Sequence, residues 1–141
     1  MSVEKKRSWF RRYTKQINII KRLENRRETL EERITSIRSP SYTGLPRGGT
    51  RITIEDLITD KAEIEERIRR AKDRALSIRR EILEVIDSIG DVNLCEVLEY
   101  RYIDGLDPEE ISEVMGYGAR HIQRFLSQAV EEIEIPDLED P

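Results

Sequence analysis

The sequence of 141 residues has few of the residues that build disulfides, metal sites and large cores. Its one cysteine, Cys95, has no partner for an internal disulfide, and one histidine, His121, is too few for a zinc site. Only 6% of the residues are aromatic and 37% are hydrophobic, against 38% that are charged. These shares exclude one large globular core and favour narrow apolar stripes flanked by charge.

Long apolar runs are also absent from the sequence. No stretch approaches the ~20 apolar residues of a membrane span, and no apolar signal region follows the lysine-rich start. We therefore expect a soluble, cytoplasmic protein without a membrane partner. No histidine is paired with a nucleophile and the carboxylates have the spacing of helix surfaces, so we expect no enzyme, no catalytic residues, no metal and no cofactor. Cys95 has apolar neighbours, which predicts a buried thiol rather than a reactive one.

Charge is unevenly distributed along the chain, although the net charge is only −4. Residues 1–27 contain ten Lys and Arg against two Glu, a balance of +8. Residues 91–141 contain three Arg against fourteen Asp and Glu, a balance of −11. The two ends are expected to attract each other, or each to bind a partner of opposite charge.

Two long stretches have the three-four spacing of a coiled-coil seam. The first predicts a helix over residues 8–37 that begins at Ser8, and the second a helix over residues 53–89 that begins at a Thr53–Asp56 capping pair. Residues 38–52 hold several Pro and Gly and are expected to form a loop. The seam positions are Tyr13, Gln16, Ile20, Leu23, Arg27, Leu30, Ile34 and Ile37, and then Leu57, Lys61, Ile64, Ile68, Ala71, Ala75, Ile78, Ile82, Val85 and Ile89.

These two patterns predict a long antiparallel helical hairpin, coiled-coil-like, over residues 1–90. Two helices alone bury little apolar surface. We therefore expect the hairpin to pack against the C-terminal helices or, in the stronger alternative, to pair with a second chain as a homo-oligomer, most simply a dimer.

Residues 91–135 contain three short helical patterns separated by turn signals. The first is expected to begin at Asn93, and the second at Asp107, which forms a capping box with Glu110. Gly116 is expected to end the second helix in a left-handed conformation, so that a third helix begins almost at once. The whole chain is therefore predicted to be all-α, with the hairpin followed by a three-helix helix-turn-helix domain and by an acidic tail over residues 136–141.

The third of these helices is predicted to have one apolar stripe, made of Ile122, Phe125, Leu126, Ala129, Val130 and Ile133. The opposite face has Arg120, Arg124 and Ser127, with Gln123 at its edge and no carboxylate over the first three turns. Phosphates repel carboxylates, and base edges are bound by amide and guanidinium groups. This face predicts binding of double-stranded DNA. A helical bundle that only contacts other proteins is the alternative.

The stretch LEYRYIDGLDPEEISEVMGYGARHIQRFLSQAV resembles region four of bacterial sigma factors. Together with the long helical N-terminal part and the SPSYTG stretch, the chain is similar to the small phage-encoded ArpU-like transcriptional regulators of Gram-positive bacteria. The resemblance implies that Arg120, His121, Gln123 and Arg124 face DNA. The sequence departs from the sigma pattern at Gly118, where a hydroxyl cap is usual, and at Ala119, where an arginine is common.

We therefore expect a phage or prophage transcriptional regulator in the bacterial host cell. It would bind DNA through the helix-turn-helix, and the helical arm would self-associate or contact RNA polymerase. The alternatives are a small DNA-packaging subunit of a terminase, which a ring of many subunits would favour, and a helical protein-interaction adaptor. The acidic balance of residues 91–141 favours the adaptor, because it weakens non-specific attraction to DNA.

Overall fold

The computed structural model describes residues 2–38 and 52–136. Within these ranges the fold is all-α and has no strand, which confirms the predicted fold class. The predicted loop at 38–52, with its SPSYTG stretch, and the predicted tail at 136–141 lie outside the described residues except at their first or last residue. The helices are α1 (Val3–Phe10), α2 (Arg12–Arg38), α3 (Ile54–Asp87), α4 (Val92–Tyr102), α5 (Pro108–Met115) and α6 (Ala119–Glu132).

The first helix begins earlier than predicted. Ser8 is not a cap: α1 begins at Val3, where the Ser2 hydroxyl accepts a hydrogen bond from the Lys5 amide at 3.3 Å. The prediction of Ser8 was wrong because a second N-capping residue lies upstream and no helix breaker separates the two. Arg11 then separates α1 from α2.

The predicted start of α3 is confirmed. The Asp56 amide donates to Thr53 Oγ1 and the Thr53 amide donates to Asp56 Oδ2, both at 3.1 Å. The helix ends at Asp87, two residues before the predicted Ile89. The next helix, α4, is capped by Asp91, whose Oδ1 accepts from the Leu94 amide at 3.1 Å, and not by Asn93 as predicted.

The chain forms two compact units. Unit 1 comprises residues 1–16 and 75–141, and unit 2 comprises residues 17–74. The predicted division between an arm over residues 1–90 and a helix-turn-helix domain over residues 91–135 does not coincide with these limits. The physical reason is that α1 and the last part of α3 share a core with α4 and α6.

The larger of two apolar cores in unit 1 receives side chains from four helices. Phe10 stacks on Tyr102 with the ring centroids 4.9 Å apart, and Lys6 Nζ donates to the Glu131 carbonyl at 3.1 Å. A lysine is favoured there because the carbonyls at a helix C-terminus carry partial negative charge. The core residues are Trp9, Phe10, Ile78, Ile82, Val85, Ile86, Leu94, Leu98, Tyr102, Ala129, Val130 and Ile133.

Arg12 holds the junction between α1 and α2 in place. Its Nε donates to the Trp9 carbonyl at 3.0 Å, and the guanidinium lies 4.6 Å from the centroid of the Trp9 ring. Its Nη2 forms an ion pair with Glu81 of α3 at 2.7 Å. One side chain therefore joins α1, α2 and the last part of α3.

Unit 2 pairs the later part of α2 with the first part of α3. Glu31 pairs with Lys61 and Glu24 with Lys72, each at 3.6 Å. Residue numbers fall along α2 while they rise along α3, so the two helices are antiparallel, as predicted. The buried seam consists of Ile20, Leu23, Leu30 and Ile34 on α2 and of Leu57, Ile64, Ile68 and Ala71 on α3.

Two positions of the predicted seam, Arg27 and Ile37, are not fully buried. Arg27 is a charged residue at a predicted seam position and interrupts the buried seam, and its guanidinium lies 3.9 Å from Glu24 and 4.0 Å from Glu31. Ile37 was predicted as a seam position but its side chain is 38% exposed, because it is in the last turn of α2. The other apolar seam residues of unit 2 are already buried within one chain, so they do not themselves require a second chain.

No helix in the described ranges is both long enough and apolar enough to cross a membrane. The same residues contain no group of three side chains that would ligate a metal ion. Cys95, predicted to be buried, is partly buried, and its thiol lies 3.4 Å from the carbonyl oxygens of Ile86 and Ile89. Burial raises the pKa of this thiol, which keeps it in the unreactive protonated form.

Candidate nucleic-acid interface

A small second core holds α4, α5 and α6 together. It consists of Val97, Ile111 and Ile122, one from each helix, and all three are fully buried. Partly buried side chains surround it, among them Met115 and Phe125. This core places α5 and α6 against each other in the order and with the short connection of a helix-turn-helix.

The start of α5 has the capping box predicted from the sequence. The Glu110 amide donates to Asp107 Oδ1 at 2.9 Å, and the Asp107 amide donates to Glu110 Oε1 at 3.2 Å. The bond from the Glu110 amide also holds the pKa of the Asp107 carboxyl below its ordinary value. Pro108 occupies the first helical position, where a missing N–H costs nothing.

The turn between α5 and α6 is made by glycine, as predicted. Gly116 has φ 77° and ψ 14°, a left-handed conformation, and its amide donates to the Ser112 carbonyl at 2.9 Å. The Ser112 hydroxyl donates to the Tyr117 carbonyl and closes the turn from the other side. Gly118 is the N-capping residue of α6 and has no side chain to form a cap.

One large apolar residue of α5 lies outside the core. Ile111 and Met115, one turn apart, face α6, whereas Val114 is 57% exposed. Around the helix, Val114 and Met115 lie on opposite sides of Ile111, and the core shared with α6 is on the Met115 side.

The apolar stripe of α6 is buried as predicted, with Phe125 and Leu126 only partly covered. The five residues predicted to bind DNA are all exposed. They are Arg120, His121, Gln123, Arg124 and Ser127. In the described part of the chain, the Arg120 and Arg124 guanidinium groups form no hydrogen bond or ion pair, and no carboxylate occurs from 119 to 130.

His121 differs from the other four predicted residues because its ring packs against two aromatic rings. The His121 ring lies 4.9 Å from the Tyr117 ring and 4.5 Å from the Phe125 ring, centroid to centroid. Tyr117 and Phe125 also meet edge to face at 5.3 Å. His121 is therefore part of an aromatic cluster beside the turn, which the i, i+4 spacing of these three residues would have indicated.

Gln123 and Ser127 lie at the opposite edge of α6, in a groove of about 280 Å³. Three arginines outside the predicted site also line it: Arg7 of α1, Arg11 between α1 and α2, and Arg101 of α4. They are missing from the predicted site because α1 and α6 are more than 100 residues apart in sequence, and no local pattern reports that they meet. The excess of basic residues in the first 27 was the one available signal.

The electrostatics of the helix-turn-helix are mixed. On α6 the outer face has cations and amides, whereas the outer surface of α5 exposes Glu109, Glu110 and Glu113. Phosphates would be attracted to the first surface and repelled by the second.

Comparisons with protein-family models, with curated proteins and with solved structures find no match for this chain. The similarity to ArpU-like regulators and to sigma region four therefore stays a prediction.

Proposed function

We propose that the protein binds double-stranded DNA through the outer face of α6 and acts as a phage or prophage transcriptional regulator. The observation that carries the proposal is the state of Arg120 and Arg124. Both are exposed, one helical turn apart and without a partner in the described residues, on a helix face that has no carboxylate although the surrounding sequence is acidic.

The arrangement suits contact with base edges in the major groove. Arginine binds guanine and glutamine binds adenine through paired hydrogen bonds, and the first turns of a second helix are where such side chains meet bases. Because the two guanidinium groups form no ion pair, no intramolecular bond has to break before they bind DNA. The small Val97–Ile111–Ile122 core keeps the helix that carries them in a fixed position.

The regulatory role comes from the resemblance to ArpU-like proteins, as do the contacts with RNA polymerase that it implies for the helical arm. Self-association of the arm is part of the same proposal. Since the unit 2 seam is buried within one chain, a homodimer through unit 2 would have to use exposed apolar side chains such as Ile19 and Ile58.

A protein-interaction adaptor is the second candidate. The exposed carboxylates of Glu109, Glu110 and Glu113 on α5 favour it, because they repel a DNA backbone and attract a basic protein surface. The adjacent, exposed Val114 would give such a surface an apolar contact.

The test begins with selection of a preferred duplex from a random-sequence pool, followed by fluorescence anisotropy on that duplex and on a scrambled one. Loss of a base-reading arginine costs about 1–3 kcal/mol, so Arg120→Ala or Arg124→Ala should weaken binding to the selected duplex by roughly five- to 150-fold. Arg22→Ala, which removes an exposed arginine from α2 in unit 2, is the matched control and should bind as the parent does.

Circular dichroism melts show whether each variant is folded. If Arg120→Ala and Arg124→Ala both bind as tightly as the parent, α6 does not read DNA. If the parent selects no duplex at all, the adaptor becomes the favoured function.

A further inference from the structure

We propose that the groove lined by Arg7, Arg11 and Arg101 binds the DNA backbone, by holding phosphates next to the base pairs that α6 contacts. This inference rests on the proposed function. It assigns non-specific phosphate contacts to α1 and α4, and leaves sequence preference to α6.

The groove is a continuation of the proposed reading face. Gln123 and Ser127 are one turn apart on α6 and line the groove, and they adjoin Arg120 on the helix surface. The three arginines line it as well, together with Tyr102, Pro108 and Leu126. A DNA strand whose bases meet Arg120 would therefore have its backbone beside this groove, where guanidinium, amide and hydroxyl groups are all hydrogen-bond donors.

The arginines are available to an anion. In the described residues, neither Arg11 nor Arg101 has a carboxylate within 4.0 Å, and Arg7 has only the exposed Glu4 at 3.6 Å. Arg101 donates one bond, from Nη1 to the Leu106 carbonyl at 3.1 Å, which orients the group without neutralising it. Arg12 shows the contrast, since its bonds to Glu81 and to the Trp9 carbonyl use it for structure.

The elements that carry these arginines are held firmly in unit 1. The stacking of Phe10 on Tyr102 and the bond from Lys6 to the Glu131 carbonyl fix α1 against α4 and α6. The arginines on α1 and α4 are thus presented by the same core as α6, which lowers the entropy lost when a phosphate binds.

A second groove of about 210 Å³ extends the basic surface along α2. Arg11 and Arg101 line it as well, together with Thr14, Lys15 and Gly105. Arg7, Arg11 and Lys15 follow one another at intervals of four residues, so their side chains project toward these adjoining grooves. A row of cations matches a row of phosphates better than it matches a single small anion.

The uneven charge distribution along the chain explains why DNA binding would need the arginines of this groove. Residues 91–141 have a balance of −11, and α6 has only two arginines, so the helix-turn-helix alone would attract DNA weakly. By packing α1 against α6, the fold brings basic residues from the opposite end of the chain to the place where the backbone would lie.

The experiment measures binding of the selected and scrambled duplexes over a salt series, with the 141-residue chain and its Arg7→Gln, Arg11→Gln and double variants. Each phosphate contact contributes about −0.9 to the slope of log K against log salt. Each single variant should therefore reduce the slope by about 0.9 and weaken binding roughly tenfold near 0.1 M salt, equally for both duplexes. Arg22→Gln, in unit 2, should leave slope and affinity unchanged.

The outcomes separate the groove from the reading helix. If the parent binds and the double variant keeps its slope and affinity, the groove inference is overturned while DNA reading by α6 stands. The inference also fails if the variants lose preference for the selected duplex instead of slope. If the parent binds no duplex, both proposals are overturned.

Discussion

Unit 1 and unit 2 are both built from helices, but they bury apolar side chains in different ways. Unit 2 pairs two segments that are neighbours in sequence, and its buried residues form one narrow seam. Unit 1 combines the first sixteen residues with everything after residue 74, and its core receives side chains from helices at both ends of the chain.

The two units also differ in the side chains that surround their buried residues. In unit 1, the side chains of Phe10, Ile82 and Ile86 are completely covered. In unit 2, the seam is flanked by exposed ion pairs such as Glu31–Lys61 and Glu24–Lys72. Exposed pairs contribute little to stability, because solvent screens them and their long side chains lose entropy on pairing.

Of the two units, unit 1 is better suited to support a binding surface. Side chains that contact a ligand keep their geometry when a packed core holds them, and the candidate interface lies on unit 1. The two-helix layer of unit 2 lacks such a core. Its interrupted seam instead fixes the register, because it specifies which residues of the two helices face each other. The following predictions test this contrast, beginning with the largest expected effect.

Truncation of one buried isoleucine in each unit compares their cores directly. Ile82→Ala should lower the free energy of unfolding by about 3–5 kcal/mol, since it removes contacts and leaves a cavity inside a multi-helix core. Ile64→Ala in the narrower unit 2 seam should cost about 2 kcal/mol, near the lower end for such changes. Urea denaturation followed by circular dichroism measures both. Equal losses would contradict the contrast.

The second prediction concerns the dependence of unit 1 on special turns. In the described residues, positive φ occurs only at Gly105 and Gly116, both in unit 1. Gly116→Val should lower stability by about 1–2 kcal/mol, because a β-branched residue resists the left-handed conformation even where space is open. Thermal and chemical unfolding measure the loss.

Two controls accompany the Gly116 variant. Gly116→Asn should cost less than Gly116→Val, since asparagine tolerates this conformation. Gly118→Val tests the neighbouring glycine, whose φ of −64° suits any residue, and should cost less as well. A loss at Gly118 as large as that at Gly116 would show that volume, and not φ, decides the effect.

The smallest expected effect is electrostatic and lies in unit 2. Bonds from Arg69, at 2.6 and 3.1 Å, and from Arg70, at 3.2 Å, lower the pKa of the Glu66 carboxyl from 4.5 to about 2. Because the folded-state pKa lies below the ordinary value, the contribution to stability is present above pH 4.5 and is lost as the pH falls toward 2. Glu66→Gln should be slightly less stable than the parent at neutral pH, and this difference should disappear in acid.

Carboxyl titration by NMR measures the pKa of Glu66, and unfolding curves at several pH values measure the stability difference. Glu63→Gln is the matched control, since Glu63 forms no ion pair among the described residues and its loss should leave stability unchanged. An ordinary pKa at Glu66 would show that these exposed bonds do not persist in solution.

Local patterns in the sequence predicted most of the helical elements. The Thr53–Asp56 pair, the Asp107–Glu110 capping box and the Gly116 turn are all present, because each depends on residues within four positions of one another. Periodicity likewise predicted the buried stripe of α6 and the seams, since a helix places residues three and four apart on one side. Where two capping residues competed, as Ser2 did with Ser8 and Asp91 with Asn93, the pattern could not rank them.

Only the tertiary structure decided which helices and side chains lie beside α6. The sequence predicted its exposed face, with Arg120, Gln123 and Arg124, but not the position of Arg7 and Arg11 beside it. The approach of α1 to α6 depends on the fit of Phe10 to Tyr102 and on a shared core drawn from both ends of the chain. Such packing results from many weak contacts between segments that are distant in sequence, so a local sequence pattern cannot predict it.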